Sequence, residues 1–309
     1  MNHHGFREGP VRVRVPATSA NLGPGFDALG LAVTLYDEVE ARVATSGRDV
    51  RVEGEGATTV DRGEGNLVVR AARGAFERLG GQPRGLDVSC VNRIPHGRGL
   101  GSSAAAIIAG ILAARALVRD QTMDDHEVLG LAVALEGHPD NVAACLAGGL
   151  TVAWHADDGP RCARVQPAPG LSPVALVPDG ELSTKQARGL LPASVSHTDA
   201  ARTAGRAALL VAALTGRPEL LLDATDDVLH QPYRARAMPE TATLLARLRT
   251  AGVPAVISGA GPTILTLAEG DLADSLCSEV GTGRHVLRLG VDREGARARF
   301  PWDPPDTSP

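Results

Sequence analysis

The sequence predicts an α+β protein, on three observations. Strand patterns come in pairs joined by turns, helical patterns fall between them without regular strand–helix–strand alternation, and no block repeats at a fixed period. "VRVRVPA" alternates Val11, Val13 and Val15 with arginines, as a half-buried strand does. The turn-rich "TSANLGPGFD" follows, and "LAVTLYDEVEARVAT" reads as another strand or two. "GNLVVRAARGAFERLG" predicts a helix from about Asn66 to Leu79, stopped by Gly80 and Gly81. The strand "GLDVSCVNRI" runs straight into "PHGRGLGSSAAA", and a helix follows from about Ser103 to Val118. "MDDHEVLGLAVALEG" predicts a helix started by Asp124 or Asp125 and stopped near Gly137. "DNVAACLAGG" predicts a short helix and "LTVAWHA" a strand. "DDGPRCARVQPAPGLSP" reads as a linker or hairpin. Then come the strand "VALVPD", helices near 198–215, 218–229 and 239–251, the strand pair "VPAVISGAGPTILTLA", a further helix and the strand "HVLRLGV". The Pro-rich end "PWDPPDTSP" reads as disordered.

Composition narrows the function. A chain of 309 residues makes one large domain or two intimate ones. Aromatics are 3% of the residues, so Val, Leu, Ala and Ile must fill the core. A net charge of −5 argues against nucleic acid, which calls for a basic face. Cys90, Cys145, Cys162 and Cys277 show no C-x-x-C spacing, so they read as core fillers in a reducing cytoplasm, not as a zinc or redox site. The opening "MNHHGFREGP" lacks the apolar region of a signal peptide, and His3 and His4 read as a loose tip, not a metal site. The longest apolar run, 104–114, is too short for a bilayer, so no membrane partner is expected.

The stretch "PHGRGLGSSAAAIIAG" carries the chemistry. Lys185 is the only lysine in the chain, so the G-x-x-x-x-G-K-[ST] phosphate loop is excluded. The spacing of Gly97, Gly99 and Gly101 also fails the dinucleotide fingerprint, and Ser102 and Ser103 do not fit a hydrolase elbow. What remains is a strand, a glycine loop and a helix N-terminus bearing Ser-Ser. Backbone N–H groups there, aided by the helix dipole, can hold phosphate without lysine, and a serine hydroxyl can ligate Mg²⁺. The competing reading is a glycine turn with Ser102 as a helix cap.

With these residues in view, "PHGRGLGSSAA" resembles the P-x-x-x-G-L-G-S-S-A-A signature of the GHMP kinases. "VRVPATSANLGPGFDALGLAV" and "ISGAGPTILTL" resemble that family's N-terminal block and C-terminal glycine loop, while "EGHPDNVAACLAGG" and "STKQARGLLPASVSH" are similar to stretches of its homoserine-phosphorylating members. The likeness spans Val11 to Leu267. It implies a ribosomal-protein-S5-like N-terminal half (1–157) with the ATP-binding glycine loop, a ferredoxin-like C-terminal half (158–300) and a tail (301–309). It also implies ATP with Mg²⁺ as cofactor, transfer to the side-chain hydroxyl of L-homoserine in threonine biosynthesis, and a homodimer. The alternatives are a GHMP kinase for another small alcohol and a non-catalytic ligand sensor.

The resemblance also implies roles. Pro95, His96, Gly97, Arg98, Gly99, Leu100, Gly101, Ser102, Ser103, Ala104 and Ala105 form the nucleotide cradle, with one of the two serines on phosphate or Mg²⁺ and Ser103 placed with Glu136 as metal ligand. Asn66 falls near the adenine or caps its own helix. Asp140 and Asn141 orient the substrate, and Asp140 also matches an aspartate considered a base in mevalonate kinase-like relatives. Asn21, Asp27, His138, Arg188, Arg234, Gly259 and Gly261 fall on the substrate side. Asp27 suits an ammonium, and the two arginines suit a carboxylate. Gln231-Pro232 stands where many relatives read Glu-Pro.

Overall fold

The structure is a computed structural model and describes residues 5–120, 122–268, 270, 275–276 and 283–301. His3, His4, Cys277, most of the helix expected before "HVLRLGV" and the tail from 302 lie outside the described residues.

Strand β1 (Val11–Ala20) keeps the Val-in, Arg-out alternation as far as Val15 and is wholly buried beyond it. It pairs antiparallel with β2 (Leu29–Ala44), with a register shift between Pro16 and Ala17. The stretch read as one strand or two is therefore a single long strand that bulges at Thr34 and Leu35, which have no partner position on β1. β3 (Gly47–Gly54), α1 (Leu67–Arg78) and β4 (Gly85–Asn92) form a strand–helix–strand unit whose strands are parallel. Asn66 starts α1 by accepting from the amides of Val68 and Val69. α2 (Ser102–Leu117) is apolar on every side because it is the central helix, enclosed by α1, β1 and the next two helices. α3 (Asp125–Glu136) begins with a reciprocal capping box between Asp124 and Glu127. α4 (Asp140–Ala147) leads into the hairpin β5 (Leu150–Ala156) and β6 (Gly159–Val165).

The second half opens with β7 (Val174–Pro178), α5 (Thr184–Arg188) and α6 (His197–Gly216). It continues through the one-turn helices α7 (Leu221–Ala224) and α8 (Gln231–Arg234), then α9 (Pro239–Thr250), β8 (Ala255–Ile257), β9 (Ile264–Thr266) and β10 (Arg284–Arg288). A last short strand, β11 (Arg297–Arg299), returns to β1. The first sheet has the path β11-β1-β2-β4-β3 with β5 and β6 attached through β2, and the second has the order β10-β7-β9-β8.

Two expectations need adjustment, and two strands are new. No continuous helix spans 218–229: a 3₁₀ turn and α7 end at Ala224, because the Asp227 carboxylate takes the amides of Leu229, His230 and Gln231 and offers the backbone a different partner. The boundary at 157/158 falls in the β5–β6 turn, and β6 and β11 both belong to the first sheet. The strands β3 and β11 were not anticipated.

The main core runs from β1 through α2 to one face of the second sheet, where Ala175, Val177, Val256 and Leu265 meet Leu210 and Leu214 of α6. The other face of that sheet, with Leu176, Ile257 and Ile264, packs on Leu244 and Leu248 of α9. The two halves thus share one core, and the site lies where their loops meet.

Candidate active site

Leaving β4, the chain turns through Gly97, Gly99 and Gly101 at φ of 65°, 80° and 72°. A Cβ on Gly99 would lie 2.2 Å from the Ser258 carbonyl oxygen, and one on Gly101 would lie 2.0 Å from Thr18 Oγ1. Only glycine allows both this hand and this approach. Gly101 sits at the start of α2 in the left-handed conformation with no side-chain cap, so the N–H groups of the first turn stay available at the positive end of the helix. Ser102 does not cap the helix; it lies inside it as the first residue.

Behind this loop stands a second one. Ser258 Oγ donates to the Gly99 carbonyl at 2.6 Å, and Gly259 and Gly261 turn at φ of 55° and 89°. Of the block 95–105, Gly97, Gly99, Gly101, Ser102 and Ser103 line the cleft, while Leu100 and Ala104 are buried in the core. Arg98 turns away. Its guanidinium donates to the carbonyls of Pro178, Asp179 and His96 and approaches Glu181, which ties the loop to the chain after β7.

Ser103 Oγ lies 2.6 Å from Glu136 Oε2, at the end of α3. Among the described residues no group of three or more His, Cys, Asp or Glu could hold a metal. One carboxylate and one hydroxyl beside unpaired helix amides do fit a Mg²⁺ ion that takes its other ligands from phosphate and water.

Beyond Glu136, the buried Asp140 accepts from His138 Nδ1 at 3.0 Å and from the Asn141 amide at 2.8 Å. Asp140 is the first residue inside α4, after Pro139, so it is not the helix cap. Asn141 Oδ1 accepts from Thr18 Oγ1 at 2.8 Å. The hydrogen bond to Asp140, with the charges of Asp140 and Glu136, raises the pKa of His138 against the effect of burial.

Across the cleft, Asn21 and Asp27 both have positive φ, at 66° and 55°. Asn21 Nδ2 donates to the Gly259 carbonyl and its Oδ1 accepts from the Asp27 amide, which fixes the turn. Asp27 and Arg188, expected to hold opposite ends of a substrate, grip each other in a bidentate pair at 2.6 and 3.0 Å. Arg234 is 1% exposed; its Nη1 reaches the Gly259 carbonyl and His230 Nδ1, and its Nε has no partner. The Phe26 ring lies 5.6 Å from the Arg188 guanidinium and 5.4 Å from that of Arg234. Thr18, Phe26, Ser183, Thr184, His230 and Ser258 escaped the sequence reading; His230, one helical turn before Arg234, carried the one usable signal.

Two cavities meet at the start of α2. One of about 150 Å³ is lined by Asn21, Glu136, Asp140, Arg188 and Arg234 among others. The second, of about 350 Å³, is lined mainly by apolar residues such as Val52, Val60 and Ala105, with Asn66 and His96. Ser102 and Ser103 belong to both. Asn66 spends its side chain on the α1 amides and the Asp61 carbonyl, so it is a helix cap that also forms cavity wall.

Comparison with known families agrees with this frame. The GHMP kinases N terminal domain matches residues 66–149 and the GHMP kinases C terminal domain matches 209–283. The chain therefore belongs to the GHMP kinases, small-molecule kinases that use ATP. Relatives that match along nearly the whole length include homoserine kinases. Those of Streptomyces coelicolor and Streptomyces avermitilis are each 59% identical over 94% of this chain, covering 95% and 96% of their own. A homoserine kinase structure from Cytophaga hutchinsonii superposes with a TM-score of 0.84 at 27% identity, covering 97% of this chain and all of the other. An L. major mevalonate kinase, at 15% identity and a TM-score of 0.70 over 96% of this chain and 99% of its own, shares the fold. Among the described residues no helix is long and apolar enough to cross a membrane.

Proposed function

We propose that this protein is a homoserine kinase, which moves the terminal phosphoryl group of ATP to the side-chain hydroxyl of L-homoserine for threonine biosynthesis. One observation carries the substrate: two guanidiniums, Arg188 and Arg234, line the same small cleft as Ser103 and Glu136, and Arg188 brings the Asp27 carboxylate to its edge as a bidentate partner. An amino acid is a zwitterion, so its ammonium can take over Asp27 while its carboxylate takes Arg188 and the unpaired Nε of Arg234. The carboxylate of mevalonate would draw Arg188 from Asp27 and, with no ammonium, supply nothing in its place.

Phosphoryl transfer depends mostly on positioning and charge stabilisation. The glycine loop and the first amides of α2 hold the phosphates, and the apolar cavity takes the nucleoside. Glu136 and Ser103 hold Mg²⁺, which when bound neutralises charge on the phosphate oxygens. Asp140 and Asn141 orient the acceptor hydroxyl, and Thr18 keeps Asn141 in place. The cytoplasmic setting, the homodimer and a division of labour between an N-terminal nucleotide half and a C-terminal half belong to the same proposal.

A coupled ADP-release assay with Mg-ATP and L-homoserine, L-threonine, mevalonate or galactose tests it. Turnover is expected with L-homoserine, and its absence overturns the proposal. ADP release with none of the four would point to the sensor instead. Arg234→Ala removes a charge-assisted contact worth about 1.5–3 kcal/mol, so KM for homoserine should rise about 10- to 150-fold with KM for ATP unchanged. Equal effects on both would remove Arg234 from the carboxylate clamp.

A further inference from the structure

The buried cluster behind Arg234 is the strongest feature left unused. His230 is fully buried and stacks on Phe26 at 5.2 Å between ring centroids. Its Nε2 faces two acceptors, the Gly23 carbonyl at 2.8 Å and Asp227 Oδ2 at 3.4 Å. Its Nδ1 faces a donor, Arg234 Nη1, at 3.1 Å. Only one neutral tautomer satisfies all three: the proton sits on Nε2 and the Nδ1 lone pair accepts from the guanidinium. The cation would set a second N–H, and a like charge, against Arg234. Burial accordingly holds the pKa of His230 below the ordinary histidine value.

We infer that His230 is a positioning residue for substrate recognition: a neutral imidazole, locked as the Nε2–H tautomer by Gly23 and Asp227, that anchors one end of the Arg234 fork through Nδ1. A guanidinium's donors are coplanar, so fixing Nη1 on His230 and the Gly259 carbonyl sets the plane in which the remaining N–H groups meet a carboxylate. Asp227 steadies the arrangement by taking the Leu229, His230 and Gln231 amides, and Gln231 completes it by accepting the Ile257 amide through Oε1. The chain therefore builds its substrate clamp from the turn before α8 outward. This inference rests on the reading of Arg234 as the carboxylate clamp.

Two variants separate the ring nitrogens. In His230→Asn the amide oxygen replaces the Nδ1 acceptor and the Gly23 contact is lost. His230→Gln reaches Gly23 but offers Arg234 no acceptor. The expected result is a homoserine KM within about threefold of wild type for His230→Asn and at least about tenfold higher for His230→Gln, with KM for ATP unchanged in both. In the intact protein at neutral pH, the ¹⁵N resonances of His230, assigned by difference against His230→Asn, should show Nε2 protonated and Nδ1 bare. Equal homoserine KM values in the two variants, a proton on Nδ1, or a doubly protonated ring would overturn the inference. Arg234→Ala tells the two ideas apart: if it raises KM for homoserine alone while the His230 variants behave alike, the clamp stands and the positioning role falls.

Discussion

Gly99→Ala gives the sharpest test of the phosphate cradle when paired with Gly97→Ala. Both glycines have positive φ, 80° and 65°, so an L side chain costs about 1–2 kcal/mol of stability at either position. Their surroundings differ. A Cβ at 97 would stand 3.3 Å from Glu181 Cβ and Oε2, a contact that a shift of a few tenths of an ångström relieves. At 99 the new carbon would fall 2.2 Å from the Ser258 carbonyl oxygen and 3.0 Å from Gly261 N, both backbone atoms. No rotamer relieves that clash, so the two glycine loops must separate by about 1 Å, a displacement that can cost about 10²-fold in rate when reacting groups are misplaced. Thermal denaturation and ADP release across ATP concentrations measure the two effects. Both variants should lose thermal stability, while kcat/KM for ATP should fall about 10²-fold in Gly99→Ala and only a few-fold in Gly97→Ala. Equal loss of activity in the two, or full activity in Gly99→Ala, would refute the view that the loops are held by direct backbone contact.

Glu136→Gln keeps shape and removes charge from the Ser103–Glu136 pair; kcat should drop about 10²-fold or more at saturating ATP with little change in melting temperature, and an unchanged kcat would take Glu136 out of the metal site. His138 should titrate above the ordinary histidine value of about 6.5, and Asp140→Asn should bring it down, as read from its imidazole resonances against pH. A raised folded-state pKa favours the folded form fully below the unfolded value, so wild type should lose this stability relative to Asp140→Asn as pH rises through the folded-state pKa. A difference that grows toward alkaline pH would contradict that sign.

Signals set within a few residues were legible in the chain itself. The Asn66 and Asp124 caps, the glycine stops, the valine–arginine alternation of β1 and the left-handed glycines before Ser102 each depend on neighbours within about one turn or one strand repeat. The α+β class and the lysine-free glycine loop follow from such signals, and Ser103 and Glu136 were marked by the family resemblance. The pairings were not legible. β11 is a three-residue strand whose partner lies near the opposite end of the chain, and nothing in "RAR" names β1. Asp27 and Arg188 are 161 positions apart, and only the meeting of the N-terminal turn with α5 makes them an ion pair. Arg98 lies inside the glycine-loop motif yet binds carbonyls after β7, because the packed halves bring Pro178 and Asp179 within reach. The sequence alone determined which local shapes the chain takes and which chemical groups it offers. Tertiary structure decided which groups meet, including which nitrogen of His230 carries the proton, because those contacts join segments whose proximity exists only once the shared core has closed.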